Sequence, residues 1–326
     1  MRKAILFILL IITFSCANDD AMSPAEDLDV VAEFKVNLSE LNLFIGNLSD
    51  LNISSKAFEY KLNTGLFTDY AHKQRVIALP NNTTLEYDGN GLPIFPENTV
   101  IAKTFYYNLD ERDLSLGRQI IETRILIKIN GAWETGDYKW NEAQTEAILD
   151  LNGSEVPVTW INENGDTNNI TYAIPSNDDC FTCHNINDTS TPIGPKLRNL
   201  NFSINGTNQL QDLINNQYVT GISSNNEVSS MVNWEDTNAS LEDRARSYFD
   251  INCAHCHIPG GFCDQESTLD LAYETSLEDS NIYQRRFSIS TRISEYISGF
   301  SMPYIGTTIK HREGADLLEA YLQTLE

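Results

Sequence analysis

Hydrophobic and polar residues alternate in short runs between about residue 57 and residue 174, with Gly, Asn and Pro at the breaks. Runs of this length that are rich in β-branched and aromatic residues are typical of β-strands. They predict strands at Arg75–Leu79, Thr83–Tyr87, Val100–Tyr107, Gln119–Ile129, Ala132–Trp140, Ala147–Leu149, Val156–Ile161 and Ile170–Ile174. Strands at this spacing predict an antiparallel β-sandwich or jelly-roll-like domain, which we place at residues 38–175.

Two local signals refine this domain. Asn130-Gly131 separates two of the runs, and this dipeptide is a strong signal for a two-residue hairpin. Polar and apolar positions alternate over 122–129, which predicts a strand with one face in water. Aromatic residues such as Trp133, Tyr138 and Trp140 suit either the core or a surface that binds a glycan or a protein.

After Pro175 the hydrophobic spacing becomes helical. Helices are predicted at Asn208–Tyr218, Leu241–Ile251 and Gly314–Leu325, the second preceded by the capping residue Ser240. The fold class is therefore α+β with several domains. We divide the part after the β-domain into a segment at residues 176–239 and a mainly α domain at residues 240–326.

The first residues have the pattern of an export signal. Arg2 and Lys3 precede an apolar run of eleven residues that is too short to span a bilayer, so residues 1–15 are predicted to be a signal peptide. Ser15 and Cys16 resemble a lipoprotein site, although Thr13 stands where an aliphatic residue is usual. We expect lipidation at Cys16, a tether over 16–37, and a position on the periplasmic or cell-surface side of a bacterial membrane.

The formal net charge is −24. A body this acidic argues against binding to nucleic acid and against adhesion to anionic lipid headgroups. Any contact with the membrane is therefore expected to come from the lipid anchor rather than from the protein surface.

The sequence Cys-x-x-Cys-His occurs twice, at residues 180–184 and 253–257. This is the attachment signature of c-type haem: Cys180 and Cys183, and again Cys253 and Cys256, would each bond one porphyrin through its vinyl groups. The adjoining histidines, His184 and His257, would bind iron, which predicts two covalently bound haems. His255 is then a spacer, and Cys263 has no assigned role.

A zinc site and a thiol–disulfide centre are the alternative roles of the four cysteines, and both fit the sequence less well than haem attachment. Structural zinc sites usually take pairs of cysteines 12 to 20 residues apart, whereas Cys183 and Cys253 are much further apart. A thiol–disulfide centre of the thioredoxin type requires a βαβ context and gives neither histidine a role.

The second motif has a helix before it, Met302 45 residues after His257, and a last amphipathic helix. This order resembles small class I cytochromes c, in which the first and last helices cross against the haem and a loop methionine is the sixth iron ligand. The resemblance implies Met302 as that ligand, with His311 as the alternative. A thioether ligand favours Fe(II) and raises the reduction potential.

The first motif matches class I cytochromes only in Gly194-Pro195, since a proline at about this distance offers its carbonyl to the proximal histidine in that class. It has no preceding helix, because Pro175 and the β-domain directly precede it. The sixth ligand stays open between Met231, His72, another group and a vacant position.

The chain as a whole resembles a family of bacterial dihaem c-type cytochromes with a β-rich N-terminal domain, which are often lipoproteins. The shared residues in the β-rich half are Leu66–Ala71, Lys73, Arg75, Phe95-Pro96, Lys103–Phe105, Glu122–Arg124, Trp133, Tyr138–Asn141 and Ile174–Ser176. In the helical half they are Arg244–Phe249, Asn252–His257 and Pro259–Gly261. The resemblance implies a periplasmic or surface redox protein and supplies no substrate.

Electron transfer is the function these features favour, with an exported dehydrogenase as donor and a second redox protein as acceptor. A dihaem peroxidase that uses the first haem as its reactive centre is the alternative, because that site has no identified sixth ligand. A binding module built on the β-rich domain is a third hypothesis, with the cytochrome part following it.

Overall fold

The computed structural model describes residues 28–325, so the predicted signal peptide (1–15), Cys16 and most of the predicted tether lie outside the described residues. Its strands are β1 (Ala57–Glu59), β2 (His72–Ala78), β3 (Leu85–Glu86), β4 (Val100–Asn108), β5 (Arg118–Ile129), β6 (Ala132–Trp140), β7 (Ala147–Asp150), β8 (Ser154–Ile161), β9 (Thr167–Ile174), β10 (Asn185–Ile186), β11 (Thr189–Ser190), β12 (Ser203–Ile204), β13 (Thr207–Asn208) and β14 (Val219–Thr220).

Six of these strands form one antiparallel sheet in the order β1-β2-β4-β5-β6-β7. The predicted hairpin is confirmed, because β5 and β6 pair on either side of Asn130 and Gly131, which both have positive φ. The predicted strand at Thr83–Tyr87 is reduced to β3, which leaves the main sheet and pairs in parallel with β14. Strand β1 is too short to give a periodic signal in the sequence.

Side chains of the main sheet alternate between two faces. Face A, which carries Val76, Ala102 and Ile125, packs against the N-terminal segment through Leu38 and Leu41. Tyr138 and Trp140 belong to this buried cluster as well, and Trp133 is buried on the opposite side of the sheet. These aromatic residues are therefore core residues, which removes the basis for a binding surface built on them.

The opposite face, face B, carries Ile77, Ile101 and Leu126 at one end, where the segment 197–228 packs on it. At the other end it carries Phe105 and Tyr107, which pack on the hairpin β8–β9. The second layer is thus made of short helices and one hairpin rather than of a second large sheet. The antiparallel β-architecture is present, but the core on face B is completed by residues 197–228, which belong to the segment 176–239 that was predicted to bind the first haem.

The strand at 122–129 does not have a solvent-exposed face. Glu122 is fully buried and the side chain of Arg124 is 14% exposed. The two form an ion pair of 2.6 Å between Nη2 and Oε1, and Tyr172 donates a hydrogen bond to the same carboxylate at 2.6 Å. The alternation of polar and apolar residues therefore marks an ionic cluster in the middle of face B, so the prediction of solvent exposure was wrong.

Within residues 28–325 there are six α-helices, so the fold is mixed, with a large antiparallel sheet and a helical C-terminal part. They are α1 (Asn177–Cys183), α2 (Leu197–Leu200), α3 (Gln209–Asn215), α4 (Leu241–Asn252), α5 (Ile282–Ile293) and α6 (Arg312–Gln323). The helices predicted near 208–218, 241–251 and 314–325 correspond to α3, α4 and α6. None of the helices described is long and apolar enough to cross a membrane.

Helices α4 and α6 pack closely against each other. Tyr248 and Phe249 of α4 share a buried cluster with Leu318 and Tyr321 of α6. A Cβ atom on Gly314 would lie 2.3 Å from the hydroxyl of Tyr248, so this contact requires glycine. The close pairing positions the end of α4, where the second cysteine motif begins.

Candidate functional site

The two Cys-x-x-Cys-His motifs lie side by side, although they are 73 positions apart in the sequence. The Sγ atoms of Cys183 and Cys256 and a ring nitrogen of His255 lie within 4.8 Å of one another. The hydrogen bond between the two thiols lowers the pKa of Cys183 to about 5 and raises that of Cys256. The last cysteine of each motif therefore meets its counterpart at the centre of the site.

Main-chain contacts hold the two motifs together. The N–H of Asn187 donates to the carbonyl of Gly260 at 2.8 Å, and Ile186 forms a β-bridge with Gly261. Gly260 has φ +77°, and a Cβ atom there would lie 2.3 Å from Oδ1 of Asn187. A Cβ atom on Gly261 would lie 2.7 Å from the carbonyl oxygen of Cys256. Gly260 therefore lets the two segments approach, and Gly261 allows the tight turn within the second motif.

The first motif begins inside α1, which places Cys180 and Cys183 one turn apart on a helix whose first turn is capped by Ser176. Cys180 is buried, and its Sγ donates to Oδ2 of Asp137 on β6 at 3.8 Å. This contact fixes the motif against face B of the main sheet.

The imidazole of His184 is oriented by a backbone carbonyl. Its Nδ1 lies 2.8 Å from the oxygen of Thr191, and because this oxygen can only accept, Nδ1 carries the proton. Burial holds the pKa of His184 well below its usual range, so the ring is neutral and Nε2 has a free lone pair. The expected carbonyl of Pro195 does not take this role, because the hairpin β10–β11 folds Thr191 back onto the ring.

The second motif follows directly from α4, with Cys253 as the residue that ends the helix. Burial lowers the pKa of His257 to about 4, so this imidazole is also neutral at neutral pH. Its Nδ1 is buried without a hydrogen-bond partner. The main chain of His257 is held by a bond of 2.8 Å from the N–H of Leu271 to its carbonyl.

A cavity of about 510 Å³ lies beside the second motif. Its walls bring Cys253, Cys256 and His257 from the motif together with Met302 from the loop between α5 and α6. The other walls are largely apolar and include Phe249, Ile289, Ile293 and Leu318. The volume is in the range usual for cofactor sites, and its composition suits a flat apolar group with few polar contacts.

Met302 reaches this cavity from a loop that is fixed to α5. Its N–H donates to the carbonyl of Arg292 at 2.9 Å, and the guanidinium of Arg292 donates to the carbonyl of Phe300 at 2.8 Å. The structure thus brings the predicted pair, His257 and Met302, to the walls of one cavity.

The alternative ligands lie elsewhere. Met231, a candidate ligand of the first haem, is 1% exposed; its carbonyl accepts from Asn63, its N–H donates to the carbonyl of Arg198, and it does not line the cavity beside the second motif. His72 is on face A, away from Cys180, and its ring pairs with Glu111 at 2.7 Å. We therefore withdraw His72 as a ligand of the first haem.

His311 is likewise withdrawn as a ligand of the second haem. Its Nδ1 lies 2.7 Å from the hydroxyl of Tyr248, and its ring stacks on Phe67 with centroids 4.1 Å apart. It contributes to the contact between the sheet-bearing part and α6 instead of facing the cavity.

A set of contacts that sequence reasoning missed joins the two halves of the molecule. Asp69 accepts hydrogen bonds from the N–H and hydroxyl of Thr308 at 2.8 and 2.7 Å, and the N–H of Phe67 donates to Oδ1 of Asn252 at 2.7 Å. Asn252 directly precedes Cys253. The run 66–71 and Asn252 are among the residues that carry the family resemblance, and these contacts give them a structural role.

Cys263 also belongs to the site. A hydrogen bond between Cys256 and Cys263 lowers the pKa of Cys263, so its thiol lies at the edge of the cluster formed by the two motifs. This position could not be predicted, because no spacing rule connects Cys263 to the two motifs.

Comparison with known proteins returned no match: no family model, no curated protein and no solved structure is significantly similar to this chain.

Proposed function

We propose that the chain is a dihaem c-type cytochrome that transfers single electrons, with one haem attached at Cys180 and Cys183 and the other at Cys253 and Cys256. The observation that carries this proposal is the approach of Cys183 and Cys256 to within 4.8 Å. Each thiol is the last attachment point of its motif, so two haems bonded there would be close neighbours. Neighbouring haems in one chain suit the passage of an electron from one to the other.

The residues present fit such groups. His184 and His257 are neutral imidazoles, which is the form that binds iron, and Thr191 fixes the orientation of the first ring. Haem iron would supply the one-electron chemistry by cycling between Fe(III) and Fe(II). Met302 and His257 on the walls of one cavity support a closed six-coordinate second site, and the packing of α4 on α6 supports a class I cytochrome c-like domain at residues 240–326.

Export and anchoring complete the proposal. The apolar run before Cys16 supports secretion followed by lipidation at that cysteine, on the periplasmic or cell-surface side of a bacterial membrane. The redox partners would then be an exported dehydrogenase as donor and another exported protein as acceptor.

The mass of the intact purified protein tests haem attachment. The wild-type chain is expected to carry two haems, and the double variants Cys180→Ala/Cys183→Ala and Cys253→Ala/Cys256→Ala one each. Cys263→Ala is the matched control and should keep two. Retention of two haems by either double variant would contradict the attachment sites.

Ligation decides between a carrier and the peroxidase alternative. Two low-spin ferric haems that do not react with hydrogen peroxide are expected for an electron carrier. A high-spin first haem that reacts with peroxide would instead favour an enzyme with an open iron position at that site.

A zinc site is a second candidate, favoured by one observation. Cys183, His255 and Cys256 offer three ligand atoms within 4.8 Å of one another, and Cys263 contacts Cys256. Three cysteines and one histidine are a known structural zinc set. The two functions exclude each other, because thioether bonds to haem would consume Cys183 and Cys256.

His255→Ala separates the two candidates. In a dihaem cytochrome His255 is a spacer, so the variant should keep both haems and their absorption spectra. In a zinc protein the same variant would lose a ligand, and metal analysis of the purified protein would show less bound zinc than in the wild type. Stoichiometric zinc in a haem-free wild-type protein would overturn the cytochrome proposal.

A further inference from the structure

The turn at residues 66–71, which directly precedes β2, is bonded to the loop between α5 and α6. The carboxylate of Asp69 accepts from the N–H and hydroxyl of Thr308 at 2.8 and 2.7 Å, and from the N–H of Ile309 at 3.3 Å. Asp69 is 1% exposed, so these donors take the place of water. Hydrogen bonds to an ionised acceptor are the strong ones, and three of them come from two consecutive residues of one loop.

Met302 lies on this loop between two fixed points. Its own N–H donates to the carbonyl of Arg292, near the end of α5, at 2.9 Å. Thr308 follows six positions later and is held by Asp69. Residues 304–305, between the two fixed points, line the cavity together with Met302. The bonds to Asp69 therefore hold the far end of the segment that brings Met302 to the cavity.

The 66–71 turn is itself anchored to the main sheet. The hydroxyl of Tyr107 on β4 donates to the carbonyl of Asp69 at 2.6 Å, and the ammonium of Lys73 on β2 donates to two carbonyls of the turn at 2.9 and 3.2 Å. Asp69 and Tyr70 have φ of +47° and +64°, which is uncommon for residues other than glycine. Such conformations persist where the surrounding contacts hold them. The sheet thus presents the Asp69 carboxylate in a fixed orientation.

The same turn contacts the segment that leads into the second motif. The N–H of Phe67 donates to Oδ1 of Asn252 at 2.7 Å. Asn252 lines the cavity and directly precedes Cys253. One rigid turn therefore contacts both the start of the second motif and the loop that carries Met302. Contacts at both places fix the separation of the two segments.

We propose that the 66–71 turn, through Asp69, positions Met302 as the sixth ligand of the second haem. This inference rests on the proposed function, because it requires a haem at the second motif. Asp69 does not line the cavity and acts through Thr308 and Ile309, so it is a positioning residue. The β-rich half then has a role in electron transfer: it keeps the sixth ligand in place in both oxidation states of the iron.

Asp69→Asn tests this role in the purified holoprotein. The variant removes the charge and replaces one acceptor oxygen with an amide donor that faces the N–H groups of the loop. Met302 should then leave the iron more often, so the charge-transfer band that Met302→Ala abolishes should weaken. The midpoint potential of the second haem should fall, because a thioether ligand raises it. The haem that keeps its signal in Cys180→Ala/Cys183→Ala identifies the second site.

Titration with imidazole gives the size of the effect. Imidazole binds the ferric iron only after the methionine has left, so the loss of the charge-transfer band reports how readily the loop opens. A hydrogen bond to a charged group contributes enough free energy for about a tenfold change in an equilibrium constant. Imidazole should therefore displace the methionine in Asp69→Asn at a concentration about tenfold lower than in the wild type.

Tyr70→Phe is the matched control. The hydroxyl of Tyr70 donates to Oε2 of Glu313 on α6 at 2.8 Å, so the variant removes a polar contact of the same turn and leaves the bonds to the loop unchanged. The band, the potential and the imidazole titration should stay at the wild-type values. If Asp69→Asn fails to fold, Thr308→Val gives the same test, because it removes the hydroxyl donor and keeps the N–H. A smaller change in the same direction is expected.

The outcomes separate this inference from the proposed function. A wild-type protein without haem by mass would overturn both. Two haems with a band that persists in Met302→Ala would overturn the positioning of Met302 alone. An unchanged band, potential and imidazole titration in Asp69→Asn and Thr308→Val would do the same, even if unfolding free energy is lost. Equal effects in Asp69→Asn and Tyr70→Phe would show that any loosening of this contact releases the ligand, which would overturn the role of Asp69.

Discussion

The N–H of Asn187 donates a hydrogen bond of 2.8 Å to the carbonyl of Gly260, which ties the turn after the first cysteine motif to the turn after the second. The bond joins segments that belong to different parts of the chain. The first motif leads on from the β-rich half, and the second leads on from α4. Their contact makes one site out of two motifs. A weaker contact should therefore lower the free energy of unfolding.

Gly260→Ala should weaken this contact. Alanine is strained at φ +77°, and its Cβ would also lie 2.3 Å from Oδ1 of Asn187. Strain and overpacking together should cost about 2–4 kcal/mol of unfolding free energy. Chemical denaturation of the holoprotein measures this loss.

Gly206→Ala is the control for backbone strain alone, because Gly206 has φ +87° and no atom within 4 Å of the added Cβ. It should cost about 1 kcal/mol. Replacing Asn187 with Gly in the Gly260→Ala background should recover part of the larger loss. Equal losses of unfolding free energy in Gly260→Ala and Gly206→Ala would show that the clash with Asn187 contributes nothing to the destabilisation.

Met302→Ala should change the second haem only. Met302 lines the cavity opposite a motif whose histidine is neutral, and loss of a thioether ligand should abolish the methionine–iron charge-transfer band and lower the potential of that haem. Absorption and potentiometry of the purified protein measure both effects.

Met231→Ala is the matched control, since Met231 is buried but lies outside the cavity walls. Because Met302 is unchanged in this variant, the charge-transfer band of the second haem should persist. If the band of the second haem survives in Met302→Ala and disappears in Met231→Ala, then Met231 and not Met302 is the sixth ligand of that haem.

Local signals were sufficient for most of the secondary structure. Asn130-Gly131 determines a tight turn from two residues alone, so the hairpin β5–β6 could be placed correctly. The polar residues of β5 could not be assigned to solvent or core in the same way. Alternation shows that Glu122 and Arg124 share a face, but whether that face is wet depends on the distant hairpin β8–β9, which supplies Tyr172.

In the candidate site, too, local features could be predicted from the sequence and contacts between distant segments could not. The cysteine spacing identifies each motif, but it contains no information on the contact between Cys183 and Cys256, which depends on the approach of Asn187 to Gly260. The partner of His184 was expected at Pro195 by a distance along the chain. In the structure the partner is the carbonyl of Thr191, because the short hairpin β10–β11 brings this residue next to the imidazole of His184. Strands of two residues are too short to produce a periodic pattern in the sequence.

Glu122→Gln should destabilise the protein strongly. Glu122 is fully buried and accepts from Arg124 at 2.6 Å, so its neutralisation leaves a buried guanidinium without its main partner. The expected loss is about 3–5 kcal/mol in unfolding free energy. Glu33→Gln, in the exposed pair with Lys35, is the control and should cost about 0–1 kcal/mol. Similar losses in the two variants would contradict a buried ionic cluster on face B.

His311 should make stability depend on pH. Burial lowers its pKa in the folded protein from 6.5 to about 4. Between these values the unfolded chain binds a proton that the folded protein does not, so the stabilising effect is complete above pH 6.5 and is lost as the pH falls towards 4. The full loss is about 3 kcal/mol.

His311→Gln removes this titration, although it also weakens the stack on Phe67 and the bond to Tyr248. The variant should therefore be less stable than the wild type at pH 8, and the difference should shrink as the pH is lowered to 4, because only the wild type loses stability through this ring. Denaturation at a series of pH values measures the two curves. Parallel curves would show that His311 titrates in the folded protein as it does in the unfolded chain, and that the ring is not excluded from water at the contact between Phe67 and α6.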